Sequence, residues 1–258
     1  MPYRIAIAGK GGTGKTTLSA LICRGLLARG RKPLLAVDAD PNSCLAERLA
    51  VTVDRTIGQL REIIRADPDK IPMGMGKSEW IERLICEEVA ESAGFDLLAM
   101  GRQEGPDCYC YINNLLRACL EKLATQYRAV IIDNEAGLEH LSRRTNGHVE
   151  VMLVVCEPTA LGARTAQRIA DLIKALDLDI GRTGLLINRC RGDIPADVRA
   201  DLDSTGFEIL GCIPDDPRLA EFELERRSLL ELPADSPAAA AIDRCLDNLS
   251  GRISPSLS

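Results

Sequence analysis

At 258 residues, 46% apolar and 27% charged, the chain is long enough to bury a large core and has an ordinary globular composition. A net charge of −6 and a pI near 5.2 argue against a general nucleic-acid binder, which needs a basic face. No apolar run approaches the ~20 residues that cross a bilayer, and the N-terminus passes from "RIAIA" into glycines rather than a secretory core, so no membrane association and a cytoplasmic location are expected. In that setting the ten cysteines are expected as thiols, not as a disulfide framework.

Short apolar runs alternate with longer helical patterns from one end to the other. Strands are expected over 3–8, 33–38, 95–100, 128–133, 150–155, 183–188 and 207–212. Helices are expected near 15–29, 43–50, 57–65, 77–91, 111–126, 138–145, 160–176, 195–204 and 235–249. Runs such as "AVIID" and "VMLVV" are almost continuously apolar, as strands buried on both faces are. The alternation predicts one α/β domain, residues 1–250: a doubly wound, mostly parallel sheet of about seven strands with helices on both faces. The stretch 51–92 is long for one crossover and is expected to insert helices; 251–258 is expected to be a flexible tail.

The first strand runs into "GKGGTGKTT", residues 9–17, and a helix follows, the context a P-loop requires. Gly9, Gly11, Gly12 and Gly14 let the backbone N–H groups of the loop, with Lys10, Thr13 and Thr17, wrap phosphates at a helix N-terminus. Lys15 is expected to reach the β- and γ-phosphates and Thr16 to ligate Mg²⁺. Lys10 is not needed by an ordinary P-loop, and by itself reads as a solvated loop lysine. "KGGTGKTT", however, resembles the deviant Walker A loop of the MinD/ParA-type ATPases, which include the nitrogenase iron protein. The resemblance implies a P-loop fold of that type and a lysine, here Lys10, that crosses to the partner's nucleotide in a homodimer.

"AVDADPN" closes the second strand. It resembles the switch I of that family, which implies Asp40 as the residue that positions the attacking water and Asp38 as its helper or an outer partner of Mg²⁺. On their own the two read equally as loop and helix-capping aspartates. Asp133 follows four apolar residues in "AVIIDNEAG", where a Walker B aspartate stands, and would hold Mg²⁺ through water. "DNEAG" resembles switch II, with Gly137 offering a backbone N–H to the γ-phosphate. Asn188 ends the sixth strand in "LLINRC". A carboxamide can pair both edges of adenine, and the third residue after it is Arg191 rather than the aspartate of guanine-specific patterns, so ATP and ADP are the expected nucleotides. "CIPDDPRL" resembles the family segment that packs on adenine near Pro214.

"GPDCYCYINN", residues 105–114, sets Cys108 and Cys110 one residue apart. Two thiolates leave a soft-metal site half built; a two-fold dimer would bring a second pair. "MGRQEGPDCYCYINNLLR" with "IIDNEAGLEHLSRRT" resembles the CooC-type maturation ATPases of carbon monoxide dehydrogenase, over nearly the whole chain from Arg4 to about Pro233. That resemblance implies an ATPase that inserts nickel into carbon monoxide dehydrogenase or a related nickel enzyme, its dimer holding Ni²⁺ or Zn²⁺ on Cys108 and Cys110 of both chains. The alternative is an ATP-gated electron donor like the nitrogenase iron protein, since four thiolates also hold an iron–sulfur cluster; against it, the segment after Asp133 has no cysteine. A partitioning ATPase is disfavoured by the acidic balance and by a C-terminus without a basic amphipathic helix. Cys23, Cys119, Cys156 and Cys212 read as buried small hydrophobes, His140 and His148 as isolated and so poor candidates for metal ligands, with His140 coupling or packing after switch II, Met73 and Met75 as loop contacts and Trp80 as packing.

Overall fold

The elements run, in chain order, β1 (Tyr3–Gly9), α1 (Lys15–Ala28), β2 (Leu34–Asp38), α2 (Cys44–Leu49), α3 (Ile57–Ala66), α4 (Lys77–Glu87), β3 (Ala90–Ser92), β4 (Phe95–Ala99), a helical stretch over 118–124, β5 (Ala129–Asp133), β6 (Val149–Cys156), α5 (Ala160–Ala175), β7 (Ile180–Cys190), α6 (Ala196–Ser204), β8 (Glu208–Pro214), α7 (Pro217–Leu224) and α8 (Pro237–Ser250). They belong to a computed structural model that describes residues 2–66, 71–101, 118–135 and 148–250. Among the described residues no helix is long and apolar enough to cross a membrane.

One eight-stranded sheet carries the order β3-β4-β2-β5-β1-β6-β7-β8. All pairings are parallel except β3 with β4. Alternate residues of β1 face opposite ways: Ile5 and Ile7 join one apolar cluster, Ala6 and Ala8 the other. The first cluster is closed by α1, α2 and α8 and the second by α3, α4, α5 and α6. Both faces are therefore covered, which is why the strands read as apolar runs without polar alternation.

Among the described residues the sheet has eight strands, one beyond the seven runs legible in the sequence. The extra one, β3, occupies residues the helical pattern over 77–91 had claimed. That helix stops at Glu87, and Gly94 at φ 89° turns the chain back into β4, so three residues pair antiparallel at the sheet's edge. The short helix α7 was also missed, although Asp216 caps it by accepting from the Arg218 N–H at 3.0 Å. Cys212 is a further correction: it is exposed, whereas Cys23, Cys119 and Cys156 are buried. A register shift between Leu185 and Leu186 places Leu210 as the unpaired residue of β8 and resets the alternation before Cys212. Trp80 is buried, Met73 is fully exposed, and Met75 packs against the second cluster. His148 pairs with Asp179 at 2.9 Å.

Because the strands from β4 to β8 run parallel, the C-terminal ends of β1, β2, β5, β6, β7 and β8 share one edge of the sheet. Ligands collect at that edge in open α/β sheets.

Candidate functional site

The loop from Gly9 to Gly14 leaves β1 between β5 and β6 and enters α1 at Lys15. Two glycines are required by contact and by backbone angle. Gly9 lies at φ 151°, where a Cβ would strike the carbonyl oxygen of Val155 on β6; Gly14 lies at φ 92°, where a Cβ would strike the side-chain amide of Asn188 on β7. The turn is fastened internally. Thr13 Oγ1 donates to the Lys10 carbonyl at 2.8 Å, and the Lys15 ammonium approaches the same oxygen at 3.4 Å. Lys15 is buried whereas Lys10, Gly11 and Gly12 are exposed. Burial pushes the Lys15 ammonium below its usual range, and the charges of Asp133, Asp40 and Glu135 pull it back. Thr16 and Thr17, on the first turn of α1, are half-buried. A cavity of about 100 Å³ opens beside the loop, lined by Lys10, Gly11, Gly12, Thr13, Glu157 and Thr159 among others.

Asp38 and Asp133 are register neighbours at the ends of β2 and β5, both with no solvent exposure. Their surroundings differ. Asp38 spends both oxygens on backbone, accepting from Leu45 N–H at 2.8 Å and Asp40 N–H at 3.2 Å, and so fastens the 39–45 loop to the sheet. Burial pushes its carboxyl up to about 7 against those two N–H bonds, with the Asp133 and Asp40 charges adding to the rise. Asp40 is only half-buried; its Oδ1 accepts from the Asn42 backbone and side-chain amides, both at 2.9 Å. Asp133 has Oδ1 at 2.9 Å from Ser19 Oγ, while its buried Oδ2 has no hydrogen-bond partner. Burial raises this carboxyl too, opposed by the Thr16 and Ser19 hydroxyls and by the Lys15 charge. A buried orphan carboxylate oxygen beside a P-loop threonine is hard-oxygen chemistry that fits Mg²⁺ held through water.

Asn188 is buried, and its Nδ2 donates to the Thr13 carbonyl at 2.7 Å. One amide hydrogen of the carboxamide thus braces the P-loop. Pro214 ends β8 beside Cys190, and the next residue, Asp215, donates its N–H to the Cys190 carbonyl at 3.3 Å and pairs with Arg191 at 2.7 Å. Two positioning contacts were not foreseen. Ser19 lies one turn after Lys15, a polar residue on an otherwise apolar helix face. Asn134 follows Asp133 and donates to the Ile7 carbonyl at 2.9 Å, tying the end of β5 to the strand that feeds the loop. Cys108, Cys110, Gly137 and His140 lie outside the described residues. Among the described residues no group of three or more His, Cys, Asp or Glu is arranged to hold a metal ion. A larger groove of about 510 Å³ lies at the β3 edge; Asp54, Glu87, Glu88 and Glu91 make it unsuited to a polyphosphate.

Residues 5–229 match the family model described as the CobQ/CobB/MinD/ParA nucleotide binding domain. An uncharacterised ATP-binding protein of Methanocaldococcus jannaschii is 36% identical over 247 residues, 95% of this chain and 97% of that one. The carbon monoxide dehydrogenase accessory protein CooC of Rhodospirillum rubrum is 32% identical over 225 residues, 83% of this chain and 84% of that one. Among solved structures, MinD of Aquifex aeolicus superposes with a TM-score of 0.70 over 98% of both chains at 23% identity. MinD of Pyrococcus horikoshii, solved with Mg-ADP, gives 0.68 over 97% of this chain and 98% of that one at 24% identity. These likenesses place the sheet and its helices in the MinD/ParA-like P-loop fold.

Proposed function

This chain belongs to the CobQ/CobB/MinD/ParA nucleotide-binding family, and from that premise we propose that it is an Mg²⁺-dependent cytoplasmic ATPase that loads nickel into a client enzyme of the carbon monoxide dehydrogenase type. The observation that carries the ATPase reading is the Asp133 Oδ2 orphan, buried beside Lys15 and Thr16 at the mouth of the P-loop. The client is suggested by the likeness to an accessory protein of carbon monoxide dehydrogenase.

The loop N–H groups from Gly9 to Thr17 take the phosphates, and Lys15 turns from the Lys10 carbonyl to the β- and γ-oxygens. Thr16 and, through water, Asp133 would hold Mg²⁺, which when bound screens the phosphate charge. Asp40 orients the attacking water; Asp38 acts through the loop it fastens. Gly137 offers its N–H to the γ-phosphate. Asn188 and the backbone near Pro214 take adenine. Lys10, exposed at the loop's tip, reaches the nucleotide of a second chain, so that ATP closes a homodimer. Cys108 and Cys110 of both chains then supply four thiolates to one Ni²⁺ or Zn²⁺, the cargo. Neither nucleic acid nor membrane is a partner.

The test uses a nickel-free client enzyme. Incubation with Ni²⁺-loaded protein and MgATP is expected to restore its activity, and Ni²⁺-loaded Lys15→Ala protein is expected to restore none. Equal restoration by both would contradict ATP-driven insertion. Recovery of iron and sulfide in the oxygen-free protein, with visible absorption, would support the electron-donor reading instead.

A further inference from the structure

Asp133 has two buried oxygens with unlike surroundings: Oδ1 at 2.9 Å from Ser19 Oγ, Oδ2 without a partner. Ser19 itself has no solvent exposure, and its Oγ stands 2.9 Å from the Lys15 carbonyl as well. A serine inside a helix often satisfies itself by donating one turn back, and that bond alone would make Ser19 a bland core residue. One hydroxyl has one proton, however, and here two acceptors share it. A carboxylate outcompetes a helix carbonyl, because a hydrogen bond to a charged acceptor is about twice as strong as a neutral one. The Lys15 carbonyl loses little by this, since Ser19 also donates its backbone N–H within the helix ladder, where the carbonyl of the residue four back is the ordinary acceptor.

We infer that Ser19 is the positioning residue for the Mg²⁺ side of the site: its hydroxyl anchors Asp133 Oδ1 and leaves Oδ2, buried and without a partner, as the oxygen that would hold Mg²⁺ together with Thr16. This rests on the reading of Thr16 and Asp133 as the Mg²⁺-binding pair. It adds a link the P-loop pattern does not contain. α1 carries Lys15 and Thr16 on its first turn and Ser19 one turn on, so the phosphate contact, the metal contact and the anchor of the opposing carboxylate move as one rigid body. Without the anchor, Asp133 keeps only the Thr16 hydroxyl and the Lys15 charge beside it, and the metal would have to order more of the carboxylate on binding.

The experiment measures binding of a fluorescent ADP analogue, first in EDTA and then across a Mg²⁺ titration. Ser19→Ala is expected to bind the metal-free nucleotide as the wild type does, which also shows that it folds. Its Mg²⁺ midpoint is expected to rise about tenfold, the cost of one hydrogen bond to a charged group. Ser19→Cys keeps the volume with a weaker donor and should fall between the two. In an Asp133→Asn background, Ser19→Ala should shift the midpoint by less than about twofold, because both changes break one link. A Ser19→Ala midpoint equal to wild type, or a full tenfold shift repeated in the Asp133→Asn background, would overturn the assignment. A wild-type protein whose nucleotide binding ignores Mg²⁺ altogether would overturn the Mg²⁺ reading itself, and is told apart by needing no variant.

Discussion

Lys15 meets opposing demands. It must be charged to meet phosphate, yet burial lowers its pKa, and the charges of Asp133, Asp40 and Glu135 oppose that lowering. Lys15→Ala is therefore expected to lose nucleotide affinity by 100-fold or so, on the order of the cost of a missing buried charge contact, in equilibrium binding with a fluorescent nucleotide. Asp40 acts on Lys15 through its charge but is itself only half-buried, on the loop after β2. Asp40→Ala should bind ATP with little loss and hydrolyse it slowly, by about 100-fold or more, because in the proposed mechanism the attacking water loses its guide; wild-type turnover in phosphate release would remove Asp40 from the mechanism. Asp38 yields a pH prediction. Its carboxyl, raised to about 7 in the folded chain from an ordinary 3.8, binds a proton more tightly folded than unfolded. Its contribution to stability is whole below about pH 4 and is lost as pH rises through about 7. Urea unfolding at pH 5 and pH 8 should show the stability difference between wild type and Asp38→Ala shrinking by about 2–3 kcal/mol on going to pH 8. A difference that grows with pH would mean that Asp38 is held charged.

The P-loop is an element held from two sides. Val155 crowds Gly9, and Asn188 crowds Gly14 while donating to the Thr13 carbonyl. Gly14→Ala combines a positive φ with a collision, so it should abolish nucleotide binding and lower Tm by several degrees in a thermal melt. A Tm and affinity equal to wild type would mean that the loop relaxes freely. The elements of this region were legible before any coordinates, because strand runs buried on both faces are continuously apolar and the glycine-lysine spacing states the loop's backbone path. The ends and short pieces were not. β3 has three residues, too few for any periodicity, and its pairing is decided by a Gly94 turn and by β4. Cys212 ends an apolar run, but a register shift in its strand, invisible as a pattern, leaves it exposed. Ser19 and Asn134 were missed for another reason. Each is a common residue type in a common place, and its role comes from a partner 114 or 127 residues away.

At the scale of the whole molecule, the family fold supplies one nucleotide site per chain, while the metal site proposed on Cys108 and Cys110 calls for a second chain. Lys10 is the link in the proposed dimer, since it is exposed at the tip of the same loop that buries Lys15. Lys10→Ala should bind ATP as a monomer with little loss and fail to dimerise with it, seen as unchanged mass in light scattering. Normal ATP-driven dimerisation of that variant would remove the cross-chain contact. Metal and nucleotide are then linked through one equilibrium. Any ligand that prefers the dimer draws the chains together, so metal should promote dimerisation without nucleotide. Each of Cys108→Ser and Cys110→Ser removes two thiolates of a shared four and should weaken metal binding severely with ATP binding intact. The most direct measurement is a titration of Ni²⁺ or Zn²⁺ into oxygen-free protein, with bound metal counted and mass followed by light scattering. The shared site predicts one tightly bound metal per two chains and a doubling of mass; one metal per chain with no change in mass would contradict it.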